Sequence, residues 1–325
     1  MDSPGHSAQY CTYSLMELDS NKIMSIVTVD KRETGKVSTV MEKLGFKRAL
    51  EDLLSKNVKI AEIATDQHMQ ISSLMKKERP DIKHSFDVWH GAKNLGKKIN
   101  AASQQKEAKD LQKWTSHITN HFWHACKEAK DEYDFRGIWL GVVHHVVDVH
   151  QWILSGGGNR TKCSHGPLET EEKKWSKKGS KAHEALQKIA YDKRFLNNIK
   201  YYLNFRSTAS LESFNQLILM YAAKRYSYTP PVYKARCQLA AIDNNYHADR
   251  DVKISKDGST RMHRVFNKKS KRWTVSSVKE EKDYGYLDDL AKRVIVRRLQ
   301  CRGGMSCSAT LAQDDPRRLS KTIAP

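Results

Sequence analysis

Two acidic residues, far apart in the chain, have the type and setting for phosphoryl-transfer chemistry. Asp66, in "EIATDQHMQI", ends an apolar run that reads as a buried strand, where an apolar residue or a turn glycine would be simpler. Glu212, in "SLESFN", sits near the start of a long amphipathic segment. A carboxylate ending a central strand, together with a second on a helix packed against that sheet, can hold Mg²⁺ through hard oxygen ligands. A pair of such ions clamps the attacking and leaving oxygens of an in-line displacement. Each residue also has a plainer reading. Asp66 can accept backbone hydrogen bonds in an Asx turn, and Glu212 can serve the helix dipole or a capping box.

Histidines and cysteines form a second group. They are His117, His121, His124 and Cys126 in "HITNHFWHAC", His144, His145 and His150 in "VVHHVVDVH", and Cys163 and His165 in "KCSHGPL". Structural zinc takes four Cys or His ligands, and the expected set is His121, Cys126, Cys163 and His165. His145 and His150 are five apart, off the i, i+4 relation that puts two ligands on one helical face, and are left out. His90, after "FDVW", reads as a strand-end histidine that contacts a phosphate, a metal-bound water or backbone.

Cations supply the third feature. Lys93, Lys97 and Lys98 follow the "FDVW" strand, and Lys224 and Arg225 are expected late in the Glu212 helix; on one groove the two sets would neutralise phosphates. Trp273, inside "NKKSKRWTV", reads as a core residue, with base stacking as its alternative and that of Tyr284 and Tyr286.

The elements that must position these groups follow from the pattern. "YCTYSLMEL" and "KIMSIVTV" flank the turn composition "DSNK" and predict a hairpin. A helix with Ser38 as N-cap follows, then the strand "VKIAEIAT", a short helix stopped near Pro80, and the strand "KHSFDVWH". This order predicts an α/β mixed sheet, antiparallel at its opening and parallel after it, with helices on its faces. Residues 101–200 read as a helical insertion subdomain, between a first core part over 1–100 and a second over 201–250 that carries the Glu212 helix. Residues 251–302 form a basic segment and 303–325 read as a disordered tail.

The bulk numbers narrow the partners. The chain has 325 residues and a formal net charge of +20, with 15 Lys or Arg against 6 Asp or Glu over 253–302. A polyanion is the expected partner, and DNA the commonest one. Six dispersed cysteines without a CxxC pair, and no apolar leader or membrane-length segment, point to the reducing interior of a cell. No membrane partner is expected, and self-association is left open.

The strings "DSPGHSAQYCTYSLME", "TDQHMQI", "FDVWHGAKNL", "SLESFN", "YAAKRYSY" and "CQLAAIDNN", in that order, resemble a transposon-derived, transposase-like family of animal genomes. That family is distantly similar to bacterial insertion-sequence transposases with an Asp-Asp-Glu catalytic core. The resemblance spans roughly residues 1–300. It implies a ribonuclease H-like (retroviral integrase-like) core, a nuclear protein, and ancestral Mg²⁺- or Mn²⁺-dependent DNA strand cleavage and transfer. Asp66 matches the second catalytic aspartate and Glu212 the catalytic glutamate. The first aspartate belongs to an Asp-Gly-Arg sequence that would precede Met1, and Asp2 is a poor substitute for it. The family's His-Thr pair before the glutamate is replaced by Arg206 and Ser207. These departures imply a truncated, catalytically impaired transposase remnant; the alternative is a non-enzymatic nucleic-acid-binding or interaction protein on the same scaffold.

Overall fold

The computed structural model describes residues 8–153, 159–166, 175–268 and 271–301, and Asp2 and the 303–325 tail lie outside them. In chain order, the strands are β1 (Tyr10–Met16), β2 (Ile23–Asp30), β3 (Glu62–Thr65), β4 (Lys83–Phe86), β5 (Met262–Asn267) and β6 (Arg272–Ser277). The helices are α1 (Ser38–Ser55), α2 (Met69–Glu78), α3 (Val88–Ala102), α4 (Thr115–Glu128), α5 (Glu132–His145), α6 (Lys181–Ala190), α7 (Lys193–Asn198), α8 (Ala209–Tyr221), α9 (Pro230–Tyr246) and α10 (Tyr286–Gln300). The architecture is mixed α/β, with the described strands paired as three two-stranded sheets rather than as the single mixed sheet expected. The strands are short, and β3 and β4 have four residues each, so the apolar bulk is carried by helices.

The chain divides into two compact units, 1–58 with 210–325, and 59–209. In the first unit β1 and β2 form the expected antiparallel hairpin. α1 packs on it through Met41, Phe46, Ala49, Leu50 and Leu53, one apolar stripe at helical spacing. The helix approaches closely because position 45 is glycine: a Cβ there would meet Cβ of Tyr13 at 2.9 Å. Ser38 is the first helical residue and not the cap, a position held by Val37 without a side-chain bond. Tyr10 stacks on Tyr233 of α9 with centroids 4.5 Å apart, beside buried Phe214 and Ile218 of α8. The Asn245 amide brackets Ile23, accepting from its N–H at 2.6 Å and donating to its carbonyl at 2.9 Å, as a neighbouring strand would.

In the second unit β3, α2 and β4 form a parallel β-α-β pair. Its core joins Phe86 and Leu95 to Phe122, Phe135, Trp139 and Leu186 from the helices that follow. The Trp139 indole is buried and donates to the Ala190 carbonyl at 3.1 Å, which satisfies its one polar atom.

The basic segment 251–302 contains the β5–β6 hairpin and α10, all of whose residues with described side chains are exposed or nearly so. This corrects the core reading of Trp273, which is 59% exposed. A two-stranded ribbon has no second layer to bury a ring, and Trp273 packs on Phe266 and beneath the Arg264 guanidinium, 4.8 Å from its centroid.

Candidate carboxylate site and metal centre

Asp66 follows the last residue of β3 directly, at the carboxyl end of the parallel pair, where open α/β sheets place their ligands. Its backbone carbonyl accepts from the His68 N–H at 2.8 Å and from the Thr65 hydroxyl at 2.7 Å. Among the described residues its carboxylate has no hydrogen-bond or ion-pair partner, so the Asx-turn reading does not hold: the turn is closed by backbone.

Asp87 occupies the equivalent place after β4 and was not among the expected site residues. It is 2% exposed, caps α3 through the His90 N–H at 2.7 Å, and accepts from both the backbone and the hydroxyl of Thr208. Both of its oxygens are therefore committed to structure. His90 is not at a strand end, as expected, but in the first turn of α3, because β4 stops at Phe86 and Asp87 starts the helix.

At the other end of β3, its first residue Glu62 accepts from Ser85 at 2.5 Å, Asn204 at 2.5 Å, and Arg206 Nη2 and Nε at 2.7 and 3.0 Å. Burial pushes its carboxyl up, but the bonds from Arg206, Ser85 and Asn204 outweigh it and hold the group at about 2. Arg206 thus has a structural role in this chain. Glu212 is exposed in the first turn of α8, in the other unit.

Of the expected cations, Lys93, Lys97 and Lys98 lie exposed on α3. Lys93 sits over the Trp89 ring at 4.6 Å and Lys98 pairs with Asp192 at 3.1 Å. Lys224 and Arg225 are exposed but not helical, since α8 ends at Tyr221.

The expected zinc set is corrected by half. His121 is half-buried against α5, with Nε2 2.7 Å from the Ile138 carbonyl, and desolvation lowers it to about 4. Cys126 is 1% exposed in the helical core, where burial pushes its thiol far up. Cys163 and His165 do converge, but with His145 and His150: one ligand atom from each of these four lies within 4.8 Å of all the others. This cluster can hold a metal ion. The spacing rule that set His145 and His150 aside fails because α5 ends at His145. Asp148 then takes a left-handed conformation, φ 62°, and the chain folds back. "DV" between two histidines was the available signal, since aspartate is among the few residues that visit that region.

No family model, no curated protein and no solved structure matches this chain. Its function is read from its own residues.

Proposed function

We propose that this chain is a transposase-derived, nucleic-acid-binding protein of the nucleus, built on a ribonuclease H-like fold whose ancestral reaction is Mg²⁺- or Mn²⁺-dependent DNA cleavage and strand transfer. The observation that carries the reading is the uncommitted Asp66 carboxylate at the carboxyl end of a parallel strand. A hairpin and helix precede that strand, in the order expected of a ribonuclease H-like core. A net charge of +20, with exposed lysines along α3, supports a polyanionic partner. For the His–Cys cluster of the second unit the expected ion is zinc.

Binding without cutting is the second reading, and Asp87 favours it. The other carboxylate at the strand ends is fully engaged by His90 and Thr208, which leaves Asp66 without a second free carboxylate on its own sheet. The test is a pair of assays on duplex DNA. Binding should weaken steeply with salt, and Asp66→Asn should leave it intact. Retention that is unchanged between low and high salt would defeat the proposal. Mg²⁺- or Mn²⁺-dependent nicking that vanishes in Asp66→Asn would select the cutting enzyme over the binding protein.

A further inference from the structure

We infer that His145, His150, Cys163 and His165 form a tetrahedral structural zinc site that clasps the end of α5 to the returning limb of the loop after it. This assignment stands apart from the nucleic-acid reading.

The distances fit. Four-coordinate zinc with nitrogen at 2.0–2.1 Å and sulfur at 2.3 Å requires edges of about 3.3 Å between two nitrogens and about 3.6 Å between nitrogen and sulfur. His165 Nε2 lies 3.3 Å from His145 Nδ1, and Cys163 Sγ lies 3.6 Å from the same atom. The three imidazoles are arranged like blades around one point, with centroids 5.0–5.1 Å apart and planes crossing at 77–86°. A single N–H···N bond would account for one pair, not for three rings and a sulfur that face one centre.

The outer contacts fix which nitrogens face inward. The Asp148 carboxylate lies 3.0 Å from His150 Nε2, leaving Nδ1, buried and without a hydrogen-bond partner, as the donor. His165 Nδ1 is 2.7 Å from the Gly166 carbonyl, which turns Nε2 to the centre. Carboxylate and carbonyl partners on the far nitrogens are the usual way a metal-binding imidazole is oriented. Zn²⁺, one thiolate and Asp148 sum to zero charge, so the site adds no net charge to the fold.

The backbone brings both ligand pairs together. Gln151 and Lys162 bridge the two limbs, and the Cys163 N–H donates to the His150 carbonyl at 3.0 Å. Both limbs lie close on α5 because positions 137 and 141 are glycine: a Cβ at Gly137 would meet Arg160 of the return limb at 2.8 Å, and one at Gly141 would meet Trp152 of the outgoing limb at 3.1 Å. An adjoining cavity of about 290 Å³, lined by His145, Cys163 and His165, gives the ion its way in. Four protein ligands leave no open position for substrate, which makes the role structural.

The test is X-ray absorption on the full chain with one equivalent of zinc. The expected shell is three nitrogens and one sulfur; no bound zinc, or a shell without sulfur, would overturn the assignment. Cobalt(II) titration supplies the variant series. Cys163→Ser should abolish the thiolate charge-transfer band. Asp148→Asn should weaken binding about 10–100-fold. His124→Ala, which alters the cavity wall and no ligand, should bind as the parent does; loss of cobalt there with retention in Cys163→Ser would place the metal elsewhere. Because absorption on the parent chain needs no variant to fold, the proposal is decided even if Cys163→Ser does not.

Discussion

Arg206 holds Glu62 with two guanidinium nitrogens on one carboxylate oxygen, Nη2 at 2.7 Å and Nε at 3.0 Å. The pair ties the segment before α8 to the first residue of β3. Glu62 is depressed from its ordinary 4.5 to about 2, so its stabilising effect is complete above pH 4.5 and is lost as pH falls through about 2. Arg206→Ala should cost about 1–2 kcal/mol at pH 7, a figure reduced for the solvent that reaches the guanidinium. In urea titrations at pH 7 and pH 2.5 the gap between parent and variant should narrow at the lower pH; an equal gap at both would remove Glu62 from the account.

Asp87 is expected to matter more to stability than to chemistry. Asp87→Ala removes the α3 cap and leaves the Thr208 N–H without its acceptor, for a loss of about 2–3 kcal/mol. Asp66→Ala, with no bond to lose, should stay within about 0.5 kcal/mol of the parent. Parallel thermal melts check both, and a larger loss at Asp66 than at Asp87 would reverse their roles.

The approach of α1 to the hairpin is equally testable. Gly45→Ala drives a methyl into the Tyr13 Cβ, which is backbone-fixed and cannot swing aside, so a destabilisation of about 1–3 kcal/mol is expected despite alanine's better helix propensity. A stabilised variant in chemical denaturation would show that α1 can shift without loss.

For DNA binding, Lys93→Ala and Lys97→Ala should each lower the slope of log K against log salt by about one. Lys98, already paired with Asp192, should change it less. Slopes measured over a salt series decide this, and unchanged slopes in the double variant would move the interface off α3.

Chelation should loosen one corner of the second unit and not the whole. With a strong chelator, hydrogen exchange at the Cys163 amide should rise, since its bond to His150 is held by the clasp. The Trp139 indole, bonded to Ala190 deep in the core, should keep its protection. Global unfolding on chelation would show instead that the ion supports the entire core.

Local pattern made the hairpin, α1, the β3–α2–β4 order, α8 and α9 legible, because each depends on the spacing of its own apolar residues. Asp66 was legible for the same reason: a charged residue at the end of an apolar strand is conspicuous. The clasp was only half legible. Cys163 and His165 advertise themselves by proximity, whereas His145 and His150 become partners only once the helix stops between them. Asp87 escaped notice because its partner, Thr208, is 121 residues away, and no periodicity reports a contact at that range. Trp273 was misplaced because ring size predicts burial only where a second layer exists to provide it.

The Gln151–Lys162 bridge has a consequence for recognising this clasp in other chains. Residues between the two bridge partners can be added or removed at little entropic cost, since the ends stay joined while the loop lengthens. A search pattern should therefore fix the outer intervals, His-x₄-His and Cys-x-His, and let the middle distance float.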